Sequence, residues 1–120
     1  MVLMETLPKE ASALEAALGR QRQVSVIEGD GYAALKAQLP PREKRGLVLI
    51  DPPYESDLEF DRVLAGLELA HERWPMGTYC VWYPLTDRAG PVRFHRSLER
   101  SGIRRVLDVH LGVLPPDAQV

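Results

Sequence analysis

The stretch Leu47-Val48-Leu49-Ile50-Asp51-Pro52-Pro53-Tyr54 constrains the fold more than any other part of the chain. Its apolar run is unbroken and of strand length, and it is entered from a basic, proline-containing turn, Pro40 to Gly46. That pattern predicts a strand buried on both faces, as in a parallel sheet. Asp51 then stands at the carboxyl end of the strand, where open α/β sheets place their ligand crevice. Neither proline can donate to a ladder, and each fixes its own φ. The strand therefore stops, and a rigid loop is expected to present the Asp51 carboxylate and the Tyr54 ring to the crevice.

A carboxylate, a carbonyl and an aromatic ring in that order suit a planar amino group. Such a group has two N–H donors and a delocalised lone pair, and it is a poor nucleophile until acceptors hold its hydrogens. Asp51 can accept one hydrogen and the carbonyl oxygen of Pro52 the other. Tyr54 can stack on the base, as in enzymes that read an extruded nucleotide. The plainer reading is a strand exit whose Asp caps the helix that follows.

The rest of the chain reads as alternating strands and helices. Val2-Leu3-Met4 is a short apolar run, followed by a helix opening at Pro8 with a stripe of Ala11, Leu14, Ala17 and Leu18 and ending at Gly19. Gln23 to Ile27 alternates as a strand, Gly29-Asp30-Gly31 breaks it, and Tyr32 to Leu39 has helical spacing. After Tyr54 comes the longest helix, Asp57 to about Arg73. Asp57 is the expected cap, and Leu58, Val63, Leu64, Leu67 and Ala70 form one face, with Asp61, Arg62, Glu68 and Glu72 mostly away from it. Thr78 to Tyr83 reads as a strand ending at Pro84, and Asp87 to Gly90 as a turn. Pro91 starts a helix through Val92, His95 and Leu98. Ile103 to Leu114 reads as a long strand stopped by Pro115-Pro116, and the last residues as loop.

This order is α/β with a mostly parallel sheet and helices on both faces. Acidic residues recur where successive strands end: Glu5, Asp30 and Asp51. Glu5 also reads as a solvated loop carboxylate, and Asp30 as the N-cap of its helix. A chain of 120 residues is the size of one domain, and its 45% apolar content supports a core. A net charge of −2 lacks the basic excess usual for a domain that grips nucleic acid unaided. Arg42, Lys44, Arg45, Arg104 and Arg105 are candidates for phosphate contacts or for a solvated face. The lone Cys80 excludes an internal disulfide and reads as a buried, inert thiol. His71, His95 and His110 show no metal-ligand spacing, so no metal is expected. No apolar run of membrane-spanning length or signal-peptide pattern occurs, so a cytoplasmic location and no membrane partner are expected.

The series resembles the nucleotide-binding half of a class I S-adenosylmethionine-dependent methyltransferase. More narrowly, it is similar to the bacterial 23S ribosomal RNA adenine-N6 methyltransferase family of the RlmJ type. The segments that carry this are Asp30-Gly31-Tyr32, Leu35-Lys36-Ala37, Leu39-Pro40-Pro41, Arg45 to Glu55, Gly77-Thr78-Tyr79, Trp82-Tyr83-Pro84, Gly102-Ile103-Arg104 and Val113-Leu114-Pro115. The resemblance implies a partial catalytic domain over residues 1–120, with a partial Rossmann-like sheet whose first and final strands are missing. It implies S-adenosylmethionine as cofactor and ribosomal RNA, free or in a partly assembled large subunit, as partner. Catalytic roles fall on Asp51, Pro52, Pro53 and Tyr54, and cofactor contacts on Glu5, Asp30, Gly31 and Asp51. The same loop motif is shared with guanine-N2 and glutamine-amide methyltransferases, which stay open as alternatives, as does a non-catalytic remnant or interaction module. A phosphate-binding ATPase would need Gly-x-x-x-x-Gly-Lys-Ser/Thr, which the chain lacks.

No Gly-x-Gly cofactor loop follows a first strand here. The chain is therefore expected to be an internal piece of a larger enzyme. The resemblance implies a vacant lane between Val2–Glu5 and Leu47–Ile50, where the family's first strand would lie. Its unpaired backbone edges and the missing loop lead to an expectation of weak or absent catalysis by the chain alone.

Overall fold

The computed structural model describes residues 1–85 and 89–113. Within them run β1 (Val2–Glu5), α1 (Pro8–Leu18), β2 (Ser25–Glu28), α2 (Gly31–Gln38), β3 (Leu47–Ile50), α3 (Leu58–Arg73), β4 (Thr78–Val81) and α4 (Ala89–Arg100). The α/β class expected from the sequence is present. The strands form two parallel pairs: β1 with β2, from Val2 opposite Ser25 to Glu5 opposite Glu28, and β3 with β4, from Leu47 opposite Thr78 to Ile50 opposite Val81. Parallel neighbours need a crossover; α1 supplies it for the first pair and α3 for the second. No ladder joins β1 to β3 among the described residues.

The helices start and stop for local reasons. Pro8 occupies the first turn of α1, where its missing N–H is not needed. Asp30 caps α2, its Oδ1 accepting from the Tyr32 N–H at 2.9 Å. Asp57 precedes α3 but gives no side-chain cap; its backbone is already helical, which turns the carboxylate away from the first free N–H groups. At the other end, the Tyr79 hydroxyl lies 2.9 Å from the Ala70 carbonyl oxygen and 2.7 Å from that of Trp74, satisfying the last turn of α3.

The buried stripe of α3 is Phe60, Val63, Gly66, Leu67 and Ala70. Leu58, expected on that face, is exposed, and Phe60 takes the position instead. Gly66 is where α2 crosses: an added Cβ would stand 3.1 Å from the Tyr32 ring and 3.2 Å from Leu35, so a larger residue would push the helices apart. Ile50, Phe60, Val63, Leu67 and Phe94 form the main core, and Leu35, Leu39, Ala70 and Trp74 a second one. On α4 the buried residues are Gly90, Pro91 and Phe94, whereas Val92 is exposed. Ala89 and Gly90 are helical, so the expected turn ends sooner; Asp87 and Arg88 lie outside the described residues.

Several larger expectations are corrected. The β3 strand is covered on one face only: Val48 and Ile50 point inward, while Leu47 and Leu49 are 62% and 64% exposed. Its inward residues pack into the cores to which α3 contributes, whereas nothing among the described residues covers Leu47 and Leu49. Cys80 sits opposite Leu49 in the ladder and is exposed for the same reason. In addition, residues 103–113 form no strand, and Val106, Leu107, Val109, Leu111 and Val113 are exposed. Alternation alone does not make a strand; a ladder partner is needed, and β4 is paired only with β3. Leu114 and the Pro115-Pro116 stop lie outside the described residues. β4 also ends at Val81, two residues earlier than expected, where the Trp82 N–H makes a bond of 3.0 Å to the Ile50 carbonyl before the chain leaves. No helix among the described residues is long and apolar enough to cross a membrane.

Candidate functional site

Glu5 is the last residue of β1, Asp30 follows the end of β2 by two residues, and Asp51 follows β3 directly. Because strand partners run parallel, these residues leave their strands at carboxyl ends. Glu5, Thr6, Leu7, Asp51, Pro52, Pro53 and Glu55 line a common cleft of about 560 Å³. The two strand pairs therefore bring their carboxyl ends together even though no ladder joins them. The cleft is acidic. Asp51 and Glu55 are exposed and Glu5 is half-buried. One Glu5 oxygen accepts from the Leu7 N–H at 3.0 Å, which fixes the side chain over the turn and leaves its second oxygen for a ligand.

Asp30 and Gly31 do not line this cleft. The Asp30 carboxylate caps α2 with one oxygen, and the other lies 3.8 Å from the Arg62 guanidinium. Its capping role, open in the sequence, is what the described geometry contains. Arg62, off the apolar face of α3 as expected, lies over the Tyr32 ring at 4.7 Å from the centroid and reaches Glu59 at 3.6 Å. Glu59 in turn accepts from the Tyr32 hydroxyl at 2.6 Å. Burial, and then this bond to a carboxylate, hold the Tyr32 phenol far above its ordinary pKa. Sequence periodicity gave no sign of this network, because its members come from two helices and meet only where α2 crosses α3.

Tyr54 also lies apart from the cleft. Its backbone has φ 46°, in the left-handed region, and its ring packs 4.8 Å from that of Phe60 at 44°. Its hydroxyl is enclosed and has no hydrogen-bond partner among the described residues. Burial and then the Asp51 carboxylate raise its phenol pKa strongly.

A second polar group stands beyond the end of β4. The Tyr83 hydroxyl donates to Asp108 Oδ1 at 2.7 Å and lies 3.0 Å from His95 Nε2, and His110 Nε2 lies 2.9 Å from Asp108 Oδ2. Burial and then the Asp108 bond push the Tyr83 phenol up to about 12. The Tyr83 bond, with His110 and His95 adding to it, lowers the Asp108 carboxyl. His95 and His110 looked unrelated because they are far apart in sequence. The cluster ties the irregular segment after α4 to the strand end. Its aromatic ring continues to Phe60 at 6.3 Å and so to the back of Tyr54. The basic residues are elsewhere: Arg42, Lys44 and Arg45 are exposed in the loop entering β3, at the opposite end of that strand from Asp51. Among the described residues no group of three or more His, Cys, Asp or Glu side chains is placed to hold a metal ion.

Parallel strand pairs with acceptors gathered at their carboxyl ends define an α/β protein of the kind that binds ligands in that crevice. The comparisons narrow this. The whole chain, residues 1–120, matches the family described as Ribosomal RNA large subunit methyltransferase D, RlmJ. It is 39% identical over 118 residues to Ribosomal RNA large subunit methyltransferase J of Haemophilus influenzae, covering 98% of this chain and 42% of that protein. It is 38% identical over 113 residues to the Escherichia coli protein of the same name, covering 94% and 40%. A crystal structure of a Legionella pneumophila protein matches with TM-score 0.77 and 36% identity, over 84% of this chain and 38% of that one. The chain belongs to this ribosomal RNA large subunit methyltransferase family. It spans about two fifths of the length of the curated relatives it matches.

Proposed function

We propose that residues 1–120 are part of the catalytic domain of an enzyme that methylates the exocyclic N6 amine of an adenine in 23S ribosomal RNA, with S-adenosylmethionine as donor. On this reading the strand pairs belong to a Rossmann-like sheet. The observation that carries it is the joining of Glu5, Asp51 and Pro52 on one cleft at the carboxyl ends of parallel strands, in a chain of this family. The donor set suits the cofactor. The free Glu5 oxygen and the Asp51 carboxylate are acceptors for hydroxyl and amino hydrogens. Glu5 and Asp51 would hold it in the cleft; Asp30 and Gly31, which the resemblance also assigns to it, lie outside that cleft, with Asp30 engaged at the α2 cap and Arg62, and once bound the cofactor supplies an electrophilic methyl group.

The chemistry assigned to this chain is orientation. Asp51 would accept one amine hydrogen and the Pro52 carbonyl oxygen the other, turning the nitrogen lone pair toward the methyl group. The surplus proton would pass from the amine nitrogen to an Asp51 oxygen or onward to water. Tyr54, whose ring here packs on Phe60 apart from the cleft, would cover a face of the base only from a position outside that contact, a role worth about 1–3 kcal/mol for base–aromatic stacking. With no ladder between β1 and β3, the chain by itself is expected to bind the cofactor weakly and to turn over slowly or not at all.

The test is transfer of labelled methyl groups by a protein of the relatives' full length that carries this chain, with ribosomal RNA and protein offered in parallel. Adenine-N6 labelling that falls roughly 10²–10⁴-fold in Asp51→Asn is the expected result. Label in guanine or in glutamine side chains would replace the adenine assignment, and near-normal turnover by Asp51→Asn would remove Asp51 from the mechanism.

A further inference from the structure

The two ends of the strands carry opposite charge. The strand-to-helix turns hold Glu5, Asp30, Asp51, Glu55 and Asp57 and no lysine or arginine. The helix-to-strand turns reverse this. Residues 19–24, entering β2, hold Arg20 and Arg22 and no acid, and residues 39–46, entering β3, hold Arg42, Lys44 and Arg45 against Glu43 alone. A four-residue strand is about 13 Å long, more than the Debye length of about 8 Å at physiological salt. The ends therefore act as separate fields, and the net charge of −2 describes neither.

The loop entering β3 is anchored at both ends. Leu39 is buried, and its carbonyl oxygen accepts from Arg73 Nε at 2.8 Å, which holds that guanidinium beside the loop. Gly46 lies against the Trp74 ring, where a Cβ would stand 2.9 Å away, and its carbonyl oxygen accepts from the Thr78 N–H at 3.1 Å. Between these anchors Arg42, Lys44 and Arg45 are exposed, and no ion pair among the described residues includes them or Arg73. The attraction of cations to a helix carboxyl end fades within the last turn. It accounts for Arg73, in the last turn of α3, but not for Arg42, Lys44 and Arg45, which stand beyond the end of α2 at Gln38.

We propose that this loop and Arg73 form a phosphate-contact surface that docks RNA several nucleotides away from the base in the cleft. The acidic cleft repels phosphate, so attraction for a polyanion comes from the other end of the strands, as phosphate contacts supply most sequence-independent affinity. The choice of RNA as the polyanion rests on the ribosomal RNA reading above; the basic surface does not.

The test is fluorescence anisotropy of a labelled RNA hairpin with the 120-residue chain, titrated between about 50 and 200 mM salt. Binding at a Kd of about 10⁻⁵ M or tighter is expected at the lower salt. Arg42→Gln with Lys44→Gln is expected to weaken it roughly 10–100-fold and to reduce the slope of log K against log salt by about 1.4–1.8, at 0.7–0.9 for each lost contact. Lys9→Gln with Arg96→Gln removes the same charge from the first turn of α1 and the middle of α4, and is expected to leave the slope within about 0.3 of the parent. No binding at the lower salt, or equal slope changes in the two double variants, overturns the proposal. Polyglutamate is the competitor: displacement as efficient as that by unlabelled RNA would make the partner an acidic protein and overturn RNA. Anisotropy needs no methyl transfer, so an altered slope without adenine labelling would sink the enzymatic reading alone, and normal labelling with an unaltered slope would sink this surface alone.

Discussion

Replacing Tyr32 by phenylalanine removes one oxygen from the crossing of α2 and α3, and the structure sets the size of the effect. The hydroxyl donates to Glu59 at 2.6 Å, a short bond to a carboxylate whose side chain is only 12% exposed. Hydrogen bonds to charged groups contribute about 1.5–3 kcal/mol, and partial solvent access favours the lower end, about 1.5–2 kcal/mol. The ring remains, so the Arg62 guanidinium keeps its place over it and the packing against Gly66 is unchanged. Glu59→Gln keeps an acceptor but loses the charge and the Arg62 contact at 3.6 Å; that contact is worth little, because Arg62 is half exposed. In the Tyr32→Phe background the same change removes a carboxylate that has lost its best donor, so it is expected to be nearly neutral. Urea denaturation of the four proteins at pH 7 gives the coupling as a double-mutant cycle, expected at about 1 kcal/mol or more. A coupling below about 0.3 kcal/mol would refute the assignment of this bond as the tie between the two helices.

All four tyrosines have phenols raised by burial, Tyr83 to about 12, so the unfolded chain ionises first as pH rises. Stability is then fully present below about pH 10 and is lost above it, by about 1.4 kcal/mol per pH unit for each phenol ionised only when unfolded; denaturation midpoints between pH 9 and 12 check this, and a flat profile would contradict it. The lowered Asp108 carboxyl works in the opposite direction: its contribution is present above the unfolded value of about 4 and is lost as pH falls through the lower folded value. Asp108→Asn is therefore expected to flatten the acid limb of the stability profile and to speed proteolytic cleavage within 103–113, and unchanged cleavage would show that the Tyr83–Asp108 bond does not hold that segment. Phe60→Ala removes the ring shared by Tyr54, Tyr83 and Phe94 and is expected to cost about 3–5 kcal/mol in urea denaturation; a loss under 1 kcal/mol would mean that this aromatic core is not formed. Gly77→Ala would place a Cβ 2.5 Å from the Trp74 ring and is expected to lower the melting temperature by several degrees, which a thermal scan tests.

Period and punctuation are local, and they were enough to order the elements from β1 to α4. Pro8 opens a helix, Gly29-Asp30-Gly31 ends a strand, and the apolar run before Asp51 reads as a strand ended by two prolines. Element order alone also places Glu5, Asp30 and Asp51 at the carboxyl ends of successive strands. The tertiary structure decided what no local pattern holds. The run Leu47–Ile50 is as apolar as a strand covered on both sides, yet coverage depends on a second layer, and nothing described lies over Leu47 and Leu49. The alternation at 103–113 looks like a strand, but a strand exists only when another backbone pairs with it. Asp30 and Asp51 look equivalent in sequence; the first is spent on the α2 cap and on Arg62, and the second faces the cleft. Tyr54 stands in a motif that suggests an outward ring, and the pull of Phe60 turns it inward. Each of these depends on partners far away in the chain, and sequence periodicity carries no record of them.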